Sequence, residues 1–464
     1  KKITTALAGV ILAFLMVSAA TEARAYTYPL KSAANTRYLL DQNNRPFFWS
    51  GDTAWSLLAQ VSREDAVAYL EDRRQKGFTV LLVNLIEHQF AVNAPRNYYG
   101  NAPFTGQAFT TPNEAYFAHA DDVIREAANR GLVVLLAPLY LGYQCGSEGW
   151  CNEVKAAAAA DLRSWGRYVG NRYRSFDNLV WNIGGDTDPT PVKSKVQEMV
   201  AGIREFDTRH LFTAHNQPES FGVTPWSGET WLQVNNVYSY STALYQNGKT
   251  AYTRSPVLPF FLMESTYENE HSATQQQLRA QTYWTVLAGG FGFLFGNCPI
   301  WHFGSSSSWC GSTNWKGQLN SQGALSMKYA QQLFTSRAWQ LLTPDFSHTV
   351  LTAGYGTWGS TDYVTAARAS DGQTLIAYLP TSRAVTVDLT KIAGTQVQGW
   401  WYNPANGSAT AIGTYGTTGS RTFTPPAAGD WVLVVDNATL NLPTPGTAEY
   451  NPLRLSPPKN LRIL

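Results

Sequence analysis

Eight short apolar runs recur along the first three-quarters of the chain, at 46–51, 79–86, 133–139, 179–183, 211–213, 234–238, 257–263 and 290–295. They are continuous rather than alternating, the pattern of parallel strands buried on both faces. The stretches between them read as helices. Residues 63–76 put Ala66, Tyr69 and Leu70 on one face and stop at Gly77; 121–130 stops at Gly131. A glycine just past a periodic segment marks a helix end. Residues 155–172 are alanine-rich and amphipathic, and 192–206 repeat the pattern. Strand–helix alternation predicts a parallel α/β architecture. Eight units over roughly 300 residues suit a closed (β/α)8 TIM barrel better than an open sheet.

After Leu342 the texture changes. Short β-rich runs follow every ten residues or so, at 363–367, 374–378, 384–388, 399–402, 421–424 and 431–435, separated by Gly, Asn-Pro and Asp-Gly turns. This predicts a small antiparallel β-sandwich. Trp400 and Trp401 read as core or barrel-interface residues, since neighbouring strand positions face opposite sides. The expected organisation is a leader over 1–25, the barrel over 26–342, the sandwich over 343–437 and a Pro-rich, extended or disordered tail over 438–464. Ser456-Pro457-Pro458-Lys459 reads as the start of a linker, so the natural chain is expected to run past Leu464.

The leader has the order of an export signal. Lys1 and Lys2 are the basic region, 6–17 is an apolar stretch too short to span a bilayer, and Ala23-Arg24-Ala25 fits small-x-small cleavage before Tyr26. The expected location is therefore secreted or periplasmic. The four cysteines agree with an oxidising compartment, in two local pairs, Cys145 with Cys151 and Cys298 with Cys310. Zinc is the competing reading, but no CxxC or neighbouring His pair supports it.

Net charge is +2, which offers nothing to nucleic acid or an anionic membrane. No segment beyond the leader is apolar and long enough to cross a membrane. Aromatic residues make up 13% of the chain, a supply of faces able to stack on sugar rings as well as to fill cores. There is no phosphate loop and no nucleophile elbow, and the sequence implies no cofactor.

In a (β/α)8 barrel the C-terminal strand ends surround the active site. Two of the eight ends carry a carboxylate: Asp186, after Trp181-Asn182-Ile183-Gly184-Gly185, and Glu264, after Phe260-Phe261-Leu262-Met263. A carboxylic acid and a carboxylate on opposite sides of a scissile bond are the requirement for glycoside cleavage. Gly184-Gly185 leaves room for substrate against the backbone. Asn182 can orient a sugar hydroxyl, and Glu268 is the decoy for Glu264. Burial beside Trp181 or a like-charged neighbour would keep Asp186 protonated. Further rim positions are Asp52, Trp55, Glu87, His88, Tyr140, His215, Asn216, Tyr238, Tyr240, Tyr267, Trp301 and His302. A metal site from Glu87, His88 and His215 has no spacing motif behind it. The loops 87–112 and 297–315 are long enough to wall a pocket around a terminal sugar. The same features fit a non-catalytic carbohydrate-binding or adhesion protein, from which the carboxylate pair separates an enzyme.

Three blocks carry a family resemblance: Phe48-Trp49-Ser50-Gly51-Asp52-Thr53-Ala54-Trp55, Trp181-Asn182-Ile183-Gly184-Gly185-Asp186 and Met263-Glu264-Ser265-Thr266-Tyr267-Glu268. They resemble the signature blocks of the apiosidase-like enzymes, glycoside hydrolase family 140. Trp401-Tyr402-Asn403-Pro404 and Ala428-Gly429-Asp430-Trp431 resemble the companion module that is named for collagen binding. The resemblance implies a glycosidase with Asp186 as acid/base and Glu264 as nucleophile, and a best-known family activity of removing apiose from the pectin rhamnogalacturonan-II. Ser265 stands where the family pattern has Pro, a departure that bears on substrate identity. Nothing in these residues supports collagen binding.

Overall fold

The computed structural model describes residues 26–33 and 35–451. The expected leader lies outside the described residues, as does the tail beyond 451. Each predicted apolar run forms a parallel strand: β1 (Trp49–Thr53), β2 (Val80–Asn84), β3 (Val133–Ala137), β4 (Leu179–Gly184), β5 (Phe212–His215), β6 (Asn235–Tyr238), β7 (Phe260–Glu264) and β8 (Gly292–Phe295). They hydrogen-bond in the order β5-β4-β3-β2-β1-β8-β7-β6. The ring closes between β5 and β6 through Val234 N–H to Phe212 O (3.1 Å) and the Asn236 amide to Ala214 O (2.7 Å). A two-residue strand, Ser220–Phe221, runs antiparallel to β6 at that seam.

The helices obey their end signals. α1 (Arg63–Gln75) is capped by Ser62 and followed by Gly77 at φ 79°. α2 (Glu114–Asn129) starts earlier than its periodicity suggests, because the Asn113 side chain accepts from Ala115 N–H. The predicted helix at 155–172 is broken. A short helix, Cys151–Ala156, ends in extended backbone at Ala157 and Ala158. α3 (Ala159–Tyr173) then begins, with the Asp161 carboxylate accepting from Ala158 N–H (3.1 Å). α4 (Lys193–Phe206), α5 (Tyr245–Thr253), α6 (Gln275–Leu287) and α7 (Gln322–Thr335) complete the layer. No helix separates β5 from β6.

The C-terminal region forms two antiparallel sheets of six and three strands. Three strands lie where no apolar run was evident: Leu342–Pro344, Leu351–Ala353 and Ala409–Gly416. Trp401 sits in the core between the sheets, and Trp400 packs on the other face, toward the barrel. There Ile376, Tyr378, Tyr402, Val432 and Val434 share one apolar core with Tyr283, Trp284, Met327 and Phe334 of α6 and α7. Tyr283 and Tyr378 stack at 4.9 Å. Two buried ion pairs cross or flank this contact: Arg279 binds Asp430 through two 2.8 Å hydrogen bonds, and Arg337 binds Asp436 at 2.8 Å. The described part of the tail, 438–451, opens with a 3-10 turn at Ala438–Leu440 and is bonded to the end of α7. Arg337 donates to Pro443 O, and Tyr450 N–H donates to Thr335 O, which ties it back along α7.

Candidate active site

β4 ends in three residues of left-handed backbone: Gly184 (φ 99°), Gly185 (φ 129°) and Asp186 (φ 50°). The glycines do not make room for substrate, as the sequence suggests. A Cβ on Gly184 would stand 2.4 Å from His215 O, and one on Gly185 2.4 Å from the Tyr140 ring. The freed space is filled by the protein itself, and the turn is pinned by Gly185 N–H to His215 O (2.8 Å) and Leu141 N–H to Gly184 O (3.2 Å). Asp186 is thereby held at a strained position, a feature found where a side chain must be aimed. Its carboxylate accepts from Tyr238 OH (2.9 Å) and Tyr140 OH (3.2 Å).

Glu264 reaches the same mouth by a different device. Leu262 pairs with Val237 but Glu264 pairs with Tyr238, so Met263 is the extra residue of a β-bulge. A bulge re-aims the side chains beyond it, and here it turns Glu264 to the side of Tyr238. His215 Nε2 lies 3.1 Å from Glu264 Oε2 without the alignment of a hydrogen bond. The His215 ring is stacked on Trp55 at 5.5 Å and leans on Tyr238 at 5.2 Å. Trp55 in turn donates to Tyr267 OH (3.2 Å).

Burial dominates the electrostatics. It lifts Asp186 to about 6, helped by the charge of Glu264 and opposed by His215 and the two tyrosine hydroxyls. It lifts Glu264 to about 8, with Tyr267 opposing and Glu270 adding to the rise. Burial also lowers His215 to about 4, so this imidazole is neutral at pH 7 and is no counter-ion. Two carboxyls that each resist ionisation share about one proton across neutral pH.

Asn84 Oδ1, Asn182 Oδ1 and His215 Nδ1 are buried with no partner. Asn84 and His215 end β2 and β5, and Asn182 lies two residues before the end of β4. An unpaired buried polar atom costs ~1–3 kcal/mol, a cost that the hydroxyls of a sugar can recover. Asn84 went unnoticed in the sequence because it looks like the end of one more apolar run.

Of the residues singled out from sequence, Asp186, Glu264, Trp55, Tyr140, His215, Tyr238, Tyr240 and Tyr267 come together. Tyr240 OH lies 3.2 Å from Tyr238 OH. Others go elsewhere. Asp52 faces outward and is fully buried against α1, bound by Arg73 Nε (2.5 Å) and Tyr69 OH (2.6 Å). Trp181 also faces outward and donates to Asp207 (2.8 Å), so it plays no part in the burial of Asp186. Glu87 holds the start of its loop, accepting from Ser56 OH (2.7 Å), His88 N–H and Phe90 N–H. His88 turns to Glu153 (3.2 Å) and the Trp150 ring. Asn216 accepts from Trp226 Nε1. Glu87, His88 and His215 are thus engaged in three separate places. Glu268 is structural: its two oxygens accept from Gln275, Gly323 N–H, Asn297 and Ser321 at 2.5–2.8 Å, joining the β7 and β8 ends to the start of α7.

The two long loops meet. Phe90 from the first packs edge-on against Trp301 (5.1 Å) and Trp309 (5.5 Å) from the second. Cys298 and Cys310 are disulfide-bonded, as are Cys145 and Cys151. His302 lies beside the Cys298–Cys310 bridge and packs on the Trp301 and Trp309 rings. Glu270 was missed in the sequence. Trp301 Nε1 donates to it (2.7 Å), and its charge reaches Glu264.

Residues 33–340 match the family described as "Apiosidase-like, catalytic domain", and residues 353–436 match "Putative collagen-binding domain of a collagenase". A solved structure described as a glycoside hydrolase superposes with a TM-score of 0.79 at 24% identity, over 89% of this chain and 97% of that one. A glycoside hydrolase family 5 structure from Bacteroides vulgatus gives a TM-score of 0.81 at 22% identity, over 93% and 99%. At such identities the likeness shows the fold. No curated protein matches the chain.

Proposed function

Since the chain belongs to the apiosidase-like family of glycoside hydrolases, we propose that it is a secreted, exo-acting enzyme that removes a furanosidic or similar side-chain sugar from a polysaccharide by a retaining mechanism. The observation that carries this reading is the convergence of Asp186 and Glu264 on one mouth, from β4 and β7, each with raised proton affinity and with Tyr238 and His215 between them. Exo-action is supported by the Phe90–Trp301–Trp309 wall, which closes one side. Export is supported by two disulfides, and no helix among the described residues is long and apolar enough to cross a membrane.

In the proposed reaction Asp186 gives its proton to the glycosidic oxygen while the Glu264 carboxylate attacks the anomeric carbon, forming a glycosyl ester. Asp186 then takes a proton from water, which attacks the anomeric carbon, breaks its bond to the Glu264 oxygen and restores the carboxylate. The two proton affinities run against this division of roles, since Glu264 is the tighter holder. The reactive form is therefore the minor singly protonated state, with the proton on Asp186 and Glu264 ionised, and the positive charge that develops on the ring in the transition state stabilises that anion.

The test is a comparison of leaving groups. Glu264→Gln abolishes turnover of every glycoside, whereas Asp186→Asn retains attack on aryl glycosides whose leaving phenol needs no proton. The opposite pattern exchanges the roles, and near-normal turnover by either variant on the natural glycan removes that residue from the reaction. Product anomers followed by NMR decide between retention and inversion.

A further inference from the structure

The end of β6 that carries Tyr238 is held from outside the carboxyl site. Ser239, fully buried, donates its N–H to the backbone oxygen of Glu264 (3.1 Å). Its hydroxyl donates to Glu219 Oε2 (2.6 Å) and accepts from Ser241 N–H (3.0 Å). The Tyr240 N–H donates to Glu219 Oε1 (2.8 Å). One carboxylate from the loop between β5 and β6 thus takes a bond from each of the two residues that follow Tyr238. The loop reaches them because Ser220 and Phe221 pair back along Tyr238 and Val237, and because the Asn216 amide donates to Phe221 O (2.9 Å) and Gly222 O (3.0 Å).

Glutamate is also a costly choice for this backbone. Glu219 has a φ of 58°, a left-handed conformation that glycine, asparagine or aspartate adopts at less cost. Such backbone persists where the surroundings impose it, and here the bonds to Ser239 and Tyr240 do so. From Tyr240 the contacts run inward: its OH lies 3.2 Å from Tyr238 OH, which donates to Asp186 at 2.9 Å. The other groups that act on Asp186 are Tyr140, His215 and Glu264, and Tyr240 also faces Glu264, Glu270 and the His271 ring. Both Glu219 oxygens are taken up at Ser239 and Tyr240, so it reaches Asp186 through them.

We infer that Glu219 is a positioning residue: through Ser239 and Tyr240 it fixes the pair of tyrosine hydroxyls that aims the Asp186 carboxyl at the leaving group. This rests on the reading of Asp186 as the acid. Without Glu219 the segment after β6 loosens, and the Tyr238 hydroxyl is no longer held on Asp186. A carboxylate that loses a donor holds its proton more tightly. Asp186 also loses one of the two hydroxyls that aim it, so proton delivery to a poor leaving group slows. A leaving group that departs as a stable anion needs no proton and is spared.

The test uses the full chain and two aryl glycosides of one sugar that the parent hydrolyses, the phenyl and the 2,4-dinitrophenyl glycoside. Glu219→Ala, folded by circular dichroism, lowers kcat/KM at least ~10-fold on the phenyl glycoside, through kcat, and less than ~3-fold on the dinitrophenyl glycoside. The acid limb of its pH profile moves upward. Glu219→Gln, which keeps the size and one acceptor, changes both readouts in the same direction by less, and carries the test if the alanine variant does not fold. Tyr240→Phe reproduces the limb shift, and adding Glu219→Ala to it adds little, because the two lie on one chain of contacts. Equal losses on the two glycosides, an unmoved acid limb, a rise in KM with kcat unchanged, or additive effects in the double variant overturn the inference. Those results leave the acid reading standing if Asp186→Asn still loses the phenyl glycoside and keeps the dinitrophenyl one. An Asp186→Asn enzyme with full turnover of the phenyl glycoside sinks that reading, and the role of Glu219 with it.

Discussion

Arg279→Met tests whether barrel and sandwich fold as one unit. Arg279 on α6 makes two 2.8 Å hydrogen bonds to Asp430, and the two side chains are 8% and 5% exposed. Methionine keeps much of the aliphatic stem but strands the Asp430 carboxylate with only Tyr378 OH, 3.0 Å away. Breaking one side of such a pair costs ~3–5 kcal/mol, because a buried charge is left uncompensated. At ~2.1 cal/mol/K per residue over roughly 420 residues, the unfolding entropy is ~0.9 kcal/mol/K, so the midpoint falls by ~3–6 °C. Replacing both partners, Arg279→Met with Asp430→Leu, removes the stranded charge and recovers most of the loss. Calorimetry and urea unfolding followed by far-UV circular dichroism and by tryptophan fluorescence measure this. A single-variant shift under ~1 °C shows that the pair is not desolvated as described, given that each kcal/mol moves the midpoint by about that much. A first transition belonging to the sandwich alone, with the barrel melting later, refutes the shared core.

Four further outcomes follow. The kcat/KM profile should be bell-shaped with limbs near pH 6 and pH 8, the values to which burial lifts Asp186 and Glu264, read as properties of the pair. Because both carboxyls hold protons more tightly folded than unfolded, the stability they confer is complete below the ordinary carboxylate range and is lost as pH rises through about 6 and then about 8; Glu264→Gln should therefore melt higher than the parent at pH 9 but not at pH 4, and parallel midpoint curves would count against it. Gly185→Ala, at φ 129° and 2.4 Å from the Tyr140 ring, should cost ~1–3 kcal/mol of stability but at least ~100-fold in kcat/KM, since the turn that aims Asp186 must move; an active Gly185→Ala enzyme would show the turn to be tolerant. Trp181→Phe should do the reverse, losing the Asp207 hydrogen bond and ~1–3 kcal/mol with little change in turnover, and a large loss of activity would return Trp181 to the substrate site.

All eight barrel strands were legible because burial on both faces writes them as unbroken apolar runs. The same property hid which side each residue faces. Asp52 and Thr53, or Trp181 and Asn182, are indistinguishable by pattern, and one of each pair points to the helices. Glu264 would have been misassigned by parity alone, since the bulge at Met263 alters the alternation. The strand Ala409–Gly416 left no signal because most of its positions are partly exposed. Phe90, Trp309 and Glu270 form one wall from three distant loops, and no local spacing encodes that meeting. Asp186 and Glu264 were readable for the opposite reason: a carboxylate at the end of an apolar strand is costly wherever it points, and so conspicuous.

The four bonds that converge on Glu268 make one side of the barrel mechanically continuous with the sandwich. Through that carboxylate the segment just past Glu264 is fastened to β8 and to the first turn of α7, and α6 and α7 are fastened in turn to the sandwich. A change anywhere along this side has to be matched in two modules at once. The loop after β2 reaches this side through Phe90, which packs on Trp301 and Trp309 of the β8 loop. Substituting Glu268 is therefore expected to loosen the β7–β8 rim and the sandwich contact together.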